Sequence, residues 1–236
     1  MLILKYETTF QTIIPRTPSI TSFRFPRPAE LNYKAGQYFF VTLRHQGKEL
    51  THHFSYSSSP TEKNHIEYTK RLSDSPYSDA LRAAKAGDWV RIDGPYGKFT
   101  FDGEYPKIAM LAGGIGVTPF ISMCKNATDK ALDSRIVLFF ACRSPSDIPF
   151  RVEFEELVRK NRNLKVVFTV SDATPDWTGL TGNIDAEMVK KQLPDYADYV
   201  FYACGPPPMV KAMQVLVENL GLDKDRLKIE FFTGYT

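Results

Sequence analysis

The hydrophobic rhythm of this chain changes once, between Phe101 and Lys107. Before the change, short runs alternate. Ile66 and Tyr68 interleave with Glu67 and Thr69, and Val90 and Ile92 with Arg91 and Asp93. Turn formers punctuate them at Pro26–Pro28, Ala35-Gly36, Ser58–Pro60 and Gly94-Pro95. Regularly spaced alternating strands predict an antiparallel barrel or sandwich, with one short helix over Tyr77–Lys85. After the change, apolar runs are continuous at Ile108–Ala112, Ile136–Ala141, Val166–Val170 and Tyr199–Ala203. Helical spacing appears between them, most clearly in Met209, Val210, Met213, Leu216, Val217 and Leu220. Apolar strands alternating with amphipathic helices predict a doubly wound parallel sheet covered on both faces. The expectation is an antiparallel β-barrel domain over 1–102 followed by an α/β domain over 103–236, and 236 residues suffice for both.

The first apolar run of the second half enters Gly113-Gly114-Ile115-Gly116-Val117-Thr118-Pro119. Glycines let a backbone approach a ligand closely, and a helix N-terminus offers free N–H groups to a phosphate. Thr118 is placed to cap that helix, and Pro119 suits its first turn. The run lacks the third glycine of the dinucleotide fingerprint. Taken alone it is either a phosphate cradle or a tight turn packing a helix on a sheet.

Composition narrows the classes. A hydrophobic fraction of 43% and an aromatic fraction of 13% supply cores, which argues against disorder. The net charge of +3 comes without long basic blocks, so no nucleic-acid partner is expected. No segment approaches the roughly 20 apolar residues of a membrane span, and the N-terminus lacks a signal-peptide pattern. The three cysteines, Cys124, Cys142 and Cys204, have neither disulfide-framework nor metal-ligand spacing, so no metal site is expected and a cytoplasmic location fits.

In open α/β sheets ligands bind beyond the carboxyl ends of the strands. Distinctive residues follow these ends at Gly113–Pro119, Cys142-Arg143 and Cys204-Gly205-Pro206-Pro207. Together with Gly36-Gln37-Tyr38, His52-His53-Phe54-Ser55, Gly94-Pro95-Tyr96-Gly97 and the ending Glu230-Phe231-Phe232-Thr233-Gly234-Tyr235, they make a chain that resembles the ferredoxin–NADP reductase family of flavoproteins from about Tyr6 to Tyr235.

The resemblance implies FAD, rather than FMN, on the barrel and NADH or NADPH on the second domain. It places Phe54 against the isoalloxazine and the Ser55 hydroxyl near flavin N5, and it places Cys204 near nicotinamide C4. Tyr68 joins the flavin-binding set. Two positions depart from the commonest pattern. His52 stands where most members carry Arg, so the flavin phosphate falls to a neutral imidazole, to Lys70 or to Arg71. The pyrophosphate loop reads Ser75-Pro76-Tyr77-Ser78, where a glycine is usual at Ser75. Ser171-Asp172 replaces the Ser-Arg pair of many NADPH users, because a carboxylate repels a 2′-phosphate and accepts hydrogen bonds from ribose hydroxyls. Asp176-Trp177-Thr178-Gly179 also resembles NADH users, whereas Arg143 pulls toward NADPH. NADH is favoured.

The implied reaction carries hydride from nicotinamide C4 to flavin N5, and then single electrons to a separate acceptor such as a ferredoxin, a flavodoxin or an iron–sulfur protein. Glu230 would complete a polar relay with Ser55, or stand as an exposed carboxylate. Phe232 is favoured among the closing aromatics for flavin contact. The alternatives are an electron-transfer subunit of a larger complex and a regulatory module without turnover. Intact Ser55 and Cys204 argue against the latter.

Overall fold

Alternating apolar residues build the first half. The structure, a computed structural model, describes residues 2–232. Strands β1 (Leu4–Thr9), β2 (Thr12–Thr17), β3 (Ile20–Pro26), β4 (Tyr38–His45), β5 (Lys48–Ser55) and β6 (His65–Arg71) precede helix α1 (Pro76–Ala83) and strand β7 (Trp89–Tyr96). They pair antiparallel as a four-stranded sheet, β1-β7-β4-β5, and a three-stranded sheet, β2-β3-β6. The sheets close on Phe23, Phe25, Phe39, Val41, Tyr56, Ile66, Tyr68, Val90 and Ile92, all fully buried. Helix α1 is capped by Ser75, whose hydroxyl accepts from the Ser78 amide at 3.2 Å. It ends earlier than the predicted Lys85, where Asp88 takes the Lys85 amide into a turn at Gly87.

One expectation of alternation is reversed. Glu67 and Thr69, on the polar face of β6, are as buried as Ile66 and Tyr68. The second half of the chain covers that face.

That half contains β8 (Lys107–Gly113), α2 (Thr118–Asp129), β9 (Arg135–Cys142), α3 (Arg151–Lys160), β10 (Leu164–Val170), β11 (Leu180–Thr181), α4 (Ala186–Gln192), β12 (Val200–Gly205), α5 (Pro207–Asn219) and β13 (Leu227–Phe231). Among the described residues these strands form one parallel sheet in the order β11-β10-β9-β8-β12-β13. Ile108, Met110 and Ala112 face one layer, with Phe120, Phe140 and Phe154. Ala109 and Leu111 face the other, with Phe139, Phe201 and Leu216. Burial on both faces is why these strands read as unbroken apolar runs. The order reverses between β8 and β12, which opens a switch-point crevice at their carboxyl ends.

The halves are tied together. Phe99 and Phe101 enter the core of the parallel-sheet half. The Ser122 hydroxyl donates to the Ser58 carbonyl at 2.6 Å, and Tyr202 donates to the Thr100 carbonyl at 3.2 Å. Lys125 meets Glu62 at 3.3 Å. Among the described residues no helix is long and apolar enough to cross a membrane.

Candidate active site

Two strand registers assemble the site. In the barrel, β4 sets Tyr38 opposite Ser55. In the parallel sheet, β12 sets Cys204 opposite Glu230. The two ends face each other across a cleft of about 170 Å³, lined by Tyr38, His53, Phe54, Ser55, Thr69, Thr118, Glu230, Phe231 and Phe232. Phe54 is braced from behind by Tyr68, with ring centroids 4.3 Å apart and planes 15° from parallel. The Phe232 amide donates to the Gly205 carbonyl at 3.0 Å. Of the closing aromatics, Tyr235 lies outside the described residues.

Glu230 is not an exposed carboxylate. Burial pushes its carboxyl up to about 7, against a hydrogen bond from Ser55 that favours the ionised form. Its second oxygen, Oε2, is sealed from water and has no hydrogen-bond partner among the described residues. A buried acceptor in that state is costly, so a donor brought to this oxygen would be favoured. Cys204 lies behind it, fully buried, and both burial and the neighbouring Glu230 push its thiol up. Burial of this kind favours the protonated thiol over the thiolate.

The glycine run wraps the crevice end of β8. Gly114–Val117 form a 3-10 turn leading into α2. Thr118 does not cap this helix. Its hydroxyl donates back to the Ile115 carbonyl at 3.2 Å, because the tight turn places Val117 at the cap position; Pro119 sits in the first turn as expected. The glycines serve different ends. A Cβ on Gly116 would come within 2.4 Å of the Cys204 carbonyl oxygen, so Gly116 lets the loop close on β12. Gly113 has Met209 of α5 at 3.2 Å from the same imagined atom. Gly114, at φ +52°, would meet nothing within 4 Å and leaves open space at the helix entrance. Gly205 and Pro206 form the facing wall, with Pro206 at the start of α5.

A second cluster gathers at α1. The His52 ring lies 4.4 Å from that of Tyr77. Burial lowers its pKa first, and Lys70 and His53 lower it further, so the imidazole is neutral at pH 7. Lys70 is buried and held down to about 8 by burial and by Arg82, and its ammonium donates to the Arg71 carbonyl at 3.2 Å. A buried ammonium so depressed is one that an anion would stabilise. The Ser75 and Ser78 hydroxyls bond to each other at 3.0 Å, and Ser75 sits at φ −157°, so the loop does without the usual glycine by capping α1. Arg71 does not join this cluster. It turns toward the nucleotide half, donating to the Ser19 hydroxyl at 2.5 Å and lying 3.7 Å from Asp147.

The third cluster stands at the ends of β9 and β10. Arg143 and Asp172, read from sequence as opposing signals, bind each other at 2.8 Å on an exposed rim. The Ser171 hydroxyl donates to the Arg143 carbonyl at 3.3 Å. The sequence reading missed Tyr38, His53 and Thr69 as cleft residues. A period-two count back from Ser55 reaches His53, but only the pairing of distant strands brings in the other two.

The cleft fits a planar, partly polar ring system. Phe54 and Phe232 offer aromatic walls, Glu230 Oε2 is an acceptor without a partner among the described residues, and the α1 cluster offers donors for a phosphate. A barrel and a doubly wound sheet meeting at such a cleft make the architecture of a flavin- and nicotinamide-dependent reductase. Residues 6–101 match the oxidoreductase FAD-binding domain family, and residues 110–215 match the oxidoreductase NAD-binding domain family. The chain is similar to NADH-cytochrome b5 reductase 1 of Aspergillus terreus, 32% identical over 233 residues that span 92% of this chain and 77% of the relative. It is also similar to NADH-cytochrome b5 reductase 1 of Mortierella alpina, 30% identical over 218 residues that span 88% and 72%. The cytochrome b5 reductase domain of Ulva prolifera nitrate reductase superposes with a TM-score of 0.85, at 25% identity and 97% coverage of both chains. The chain belongs to the ferredoxin–NADP reductase-like family of FAD-dependent NAD(P)H oxidoreductases.

Proposed function

We propose that this protein oxidises NADH and delivers electrons one at a time to a separate b5-type haem protein. The observation that carries this reading is the meeting of the two halves at an aromatic cleft, where Ser55 of the barrel and Glu230 of the parallel sheet line the same space. Bound FAD would supply the chemistry that the side chains lack, accepting hydride and releasing single electrons.

The residues divide the work. Phe54 and Phe232 would wall the ring system, with Tyr68 stacked behind Phe54. Ser55 donates a hydrogen bond at the reacting edge, and Glu230 holds or returns the proton through Ser55, its carboxyl poised near neutrality. His52, Lys70, Ser75, Ser78 and the start of α1 hold the flavin phosphates. Gly113, Gly114, Gly116, Thr118 and Pro119 cradle the nicotinamide nucleotide's diphosphate, with the opening left by Gly114 as its approach. Gly205 and Pro206 turn the nicotinamide inward, and the small buried Cys204 supports that ring from behind. Arg143, Ser171 and Asp172 meet the adenosine ribose.

NADH is the preferred donor because Asp172 neutralises Arg143, the cation that a 2′-phosphate would need. The relatives' names direct the acceptor toward cytochrome b5 in place of the ferredoxin or flavodoxin expected from sequence. Three separated, buried cysteines suit a reducing compartment such as the cytoplasm.

Anaerobic titration tests the reading. The FAD-loaded protein should bleach with NADH faster than with NADPH, and oxidised cytochrome b5 should restore the colour faster than a ferredoxin does. A protein that binds no flavin, or that is reduced only by NADPH, would overturn it.

A further inference from the structure

A buried hydrogen-bonded chain leads from the cleft to the nucleotide half, and beyond its cleft end at Thr69 it uses none of the residues given a role above. It begins at Thr69, which lines the cleft. The Thr69 hydroxyl meets those of Ser22 at 2.7 Å and Ser57 at 2.8 Å. Ser57 donates to Glu67 at 2.9 Å, and Ser22 accepts from the Arg16 Nε at 2.8 Å. Arg16 also meets Glu67 Oε2 at 3.2 Å, closing a ring of side chains of which Ser22, Ser57 and Glu67 are fully buried. Arg24 binds the same carboxylate oxygen at 2.8 Å.

Arg16 then leaves the barrel. Its other guanidinium nitrogen pairs with Glu153 on the first turn of α3, and its Cζ lies 4.8 Å from the Phe150 ring centroid. Phe150 starts α3 in a left-handed conformation at φ +60°, which costs a non-glycine residue about 1 kcal/mol or more and persists only where surroundings hold it. Arg16 is part of what holds it. A guanidinium is planar and permanently charged, so one residue can bind two carboxylates in fixed directions.

We infer that Arg16 is a positioning residue for hydride transfer, setting α3 and the nucleotide domain against the flavin cleft through Glu153 on one side and the Glu67–Ser57–Thr69 chain on the other. The inference rests on the cleft being where flavin and nicotinamide meet. Hydride transfer needs the reacting atoms within about 3–3.5 Å, and displacements on the order of 1 Å cost up to roughly a hundredfold in rate. A fully satisfied polar network between the domains rigidifies them in one arrangement.

Glu153→Gln is the informative variant, because it cuts the cross-domain arm and leaves the Glu67 ring intact. Arg16→Lys is the second. The FAD-loaded proteins are mixed anaerobically with saturating NADH, and amide hydrogen exchange is followed in α3 and β6. Glu153→Gln is expected to slow flavin bleaching about tenfold, with flavin content and the NADH dissociation constant unchanged. Exchange at the start of α3 should rise, and Glu153→Asp should recover part of the rate. Bleaching and α3 exchange at wild-type levels in Glu153→Gln would overturn the inference. Failure of wild type to bleach with NADH would instead overturn the reading of the cleft.

Discussion

Two buried glutamates carry opposite assignments in this molecule. Glu67 lies under β6 with every approach answered: Arg16, Arg24 and Ser57 bind its oxygens. Burial by itself would raise its carboxyl, yet Arg16, Lys125 and Arg24 together hold it below the ordinary value. Glu230 lies at the cleft with only Ser55 favouring its ionised form and, among the described residues, no partner for Oε2, and burial wins, lifting it to about 7. Partner supply, not depth, separates a charge that holds the fold from one that is poised for proton chemistry.

The largest effect should come from removing the satisfied one. Glu67→Ala leaves Arg16 and Arg24 facing a cavity and should destabilise the protein by about 3–5 kcal/mol in urea denaturation. Loss of less than a third of that would mean the ring is replaceable. The two glutamates also predict opposite pH dependences. Glu67, depressed when folded, contributes stability above its ordinary 4.5 that is lost as pH falls through its folded value. Glu230, raised when folded, binds extra protons between 4.5 and about 7, so its contribution is most favourable at low pH and declines as pH climbs across that window. Glu230→Gln should therefore stabilise the protein at pH 8, by about 1–3 kcal/mol, while slowing flavin reduction about tenfold. A destabilised Glu230→Gln at pH 8 would contradict the comparison.

Smaller effects belong to the rim. Asp172→Ser removes a repulsive carboxylate and frees Arg143, and should raise NADPH use relative to NADH by about tenfold in kcat/KM. An unchanged ratio would mean that the nucleotide's ribose lies elsewhere. Gly114→Ala should cost only about 1 kcal/mol of stability, since its strain is at φ and its surroundings are empty. Its KM for NADH should rise without a change in flavin content.

Much of this was legible in the sequence. The switch from alternating to continuous apolar runs marks the passage from antiparallel to parallel sheet, because period and burial are local properties of each strand. The segments around Ser55 and Lys70 draw attention only through the resemblance to the reductase family, and the glycine run by itself leaves a phosphate cradle and a tight turn equally open. What escaped depends on pairings between distant segments. Thr118 reads as a cap until the 3-10 turn moves the cap to Val117. Arg143 and Asp172 read as competing signals until the β9–β10 register brings them together. Glu67 and Thr69 are the polar positions of an alternating run, and no local pattern reveals that Arg16 and α3 lie over them.

The central claim, that hydride crosses between the domains beside Ser55 and Glu230, has a direct test. Stopped-flow bleaching of FAD-loaded wild type and Ser55→Ala is compared under anaerobic conditions, with NADH and with NADH deuterated at C4. Deuterium should slow bleaching of the wild type, and Ser55→Ala should lower the limiting rate about 10- to 100-fold with flavin still bound. Bleaching that is insensitive to deuterium and equally fast without the Ser55 hydroxyl would contradict the assignment.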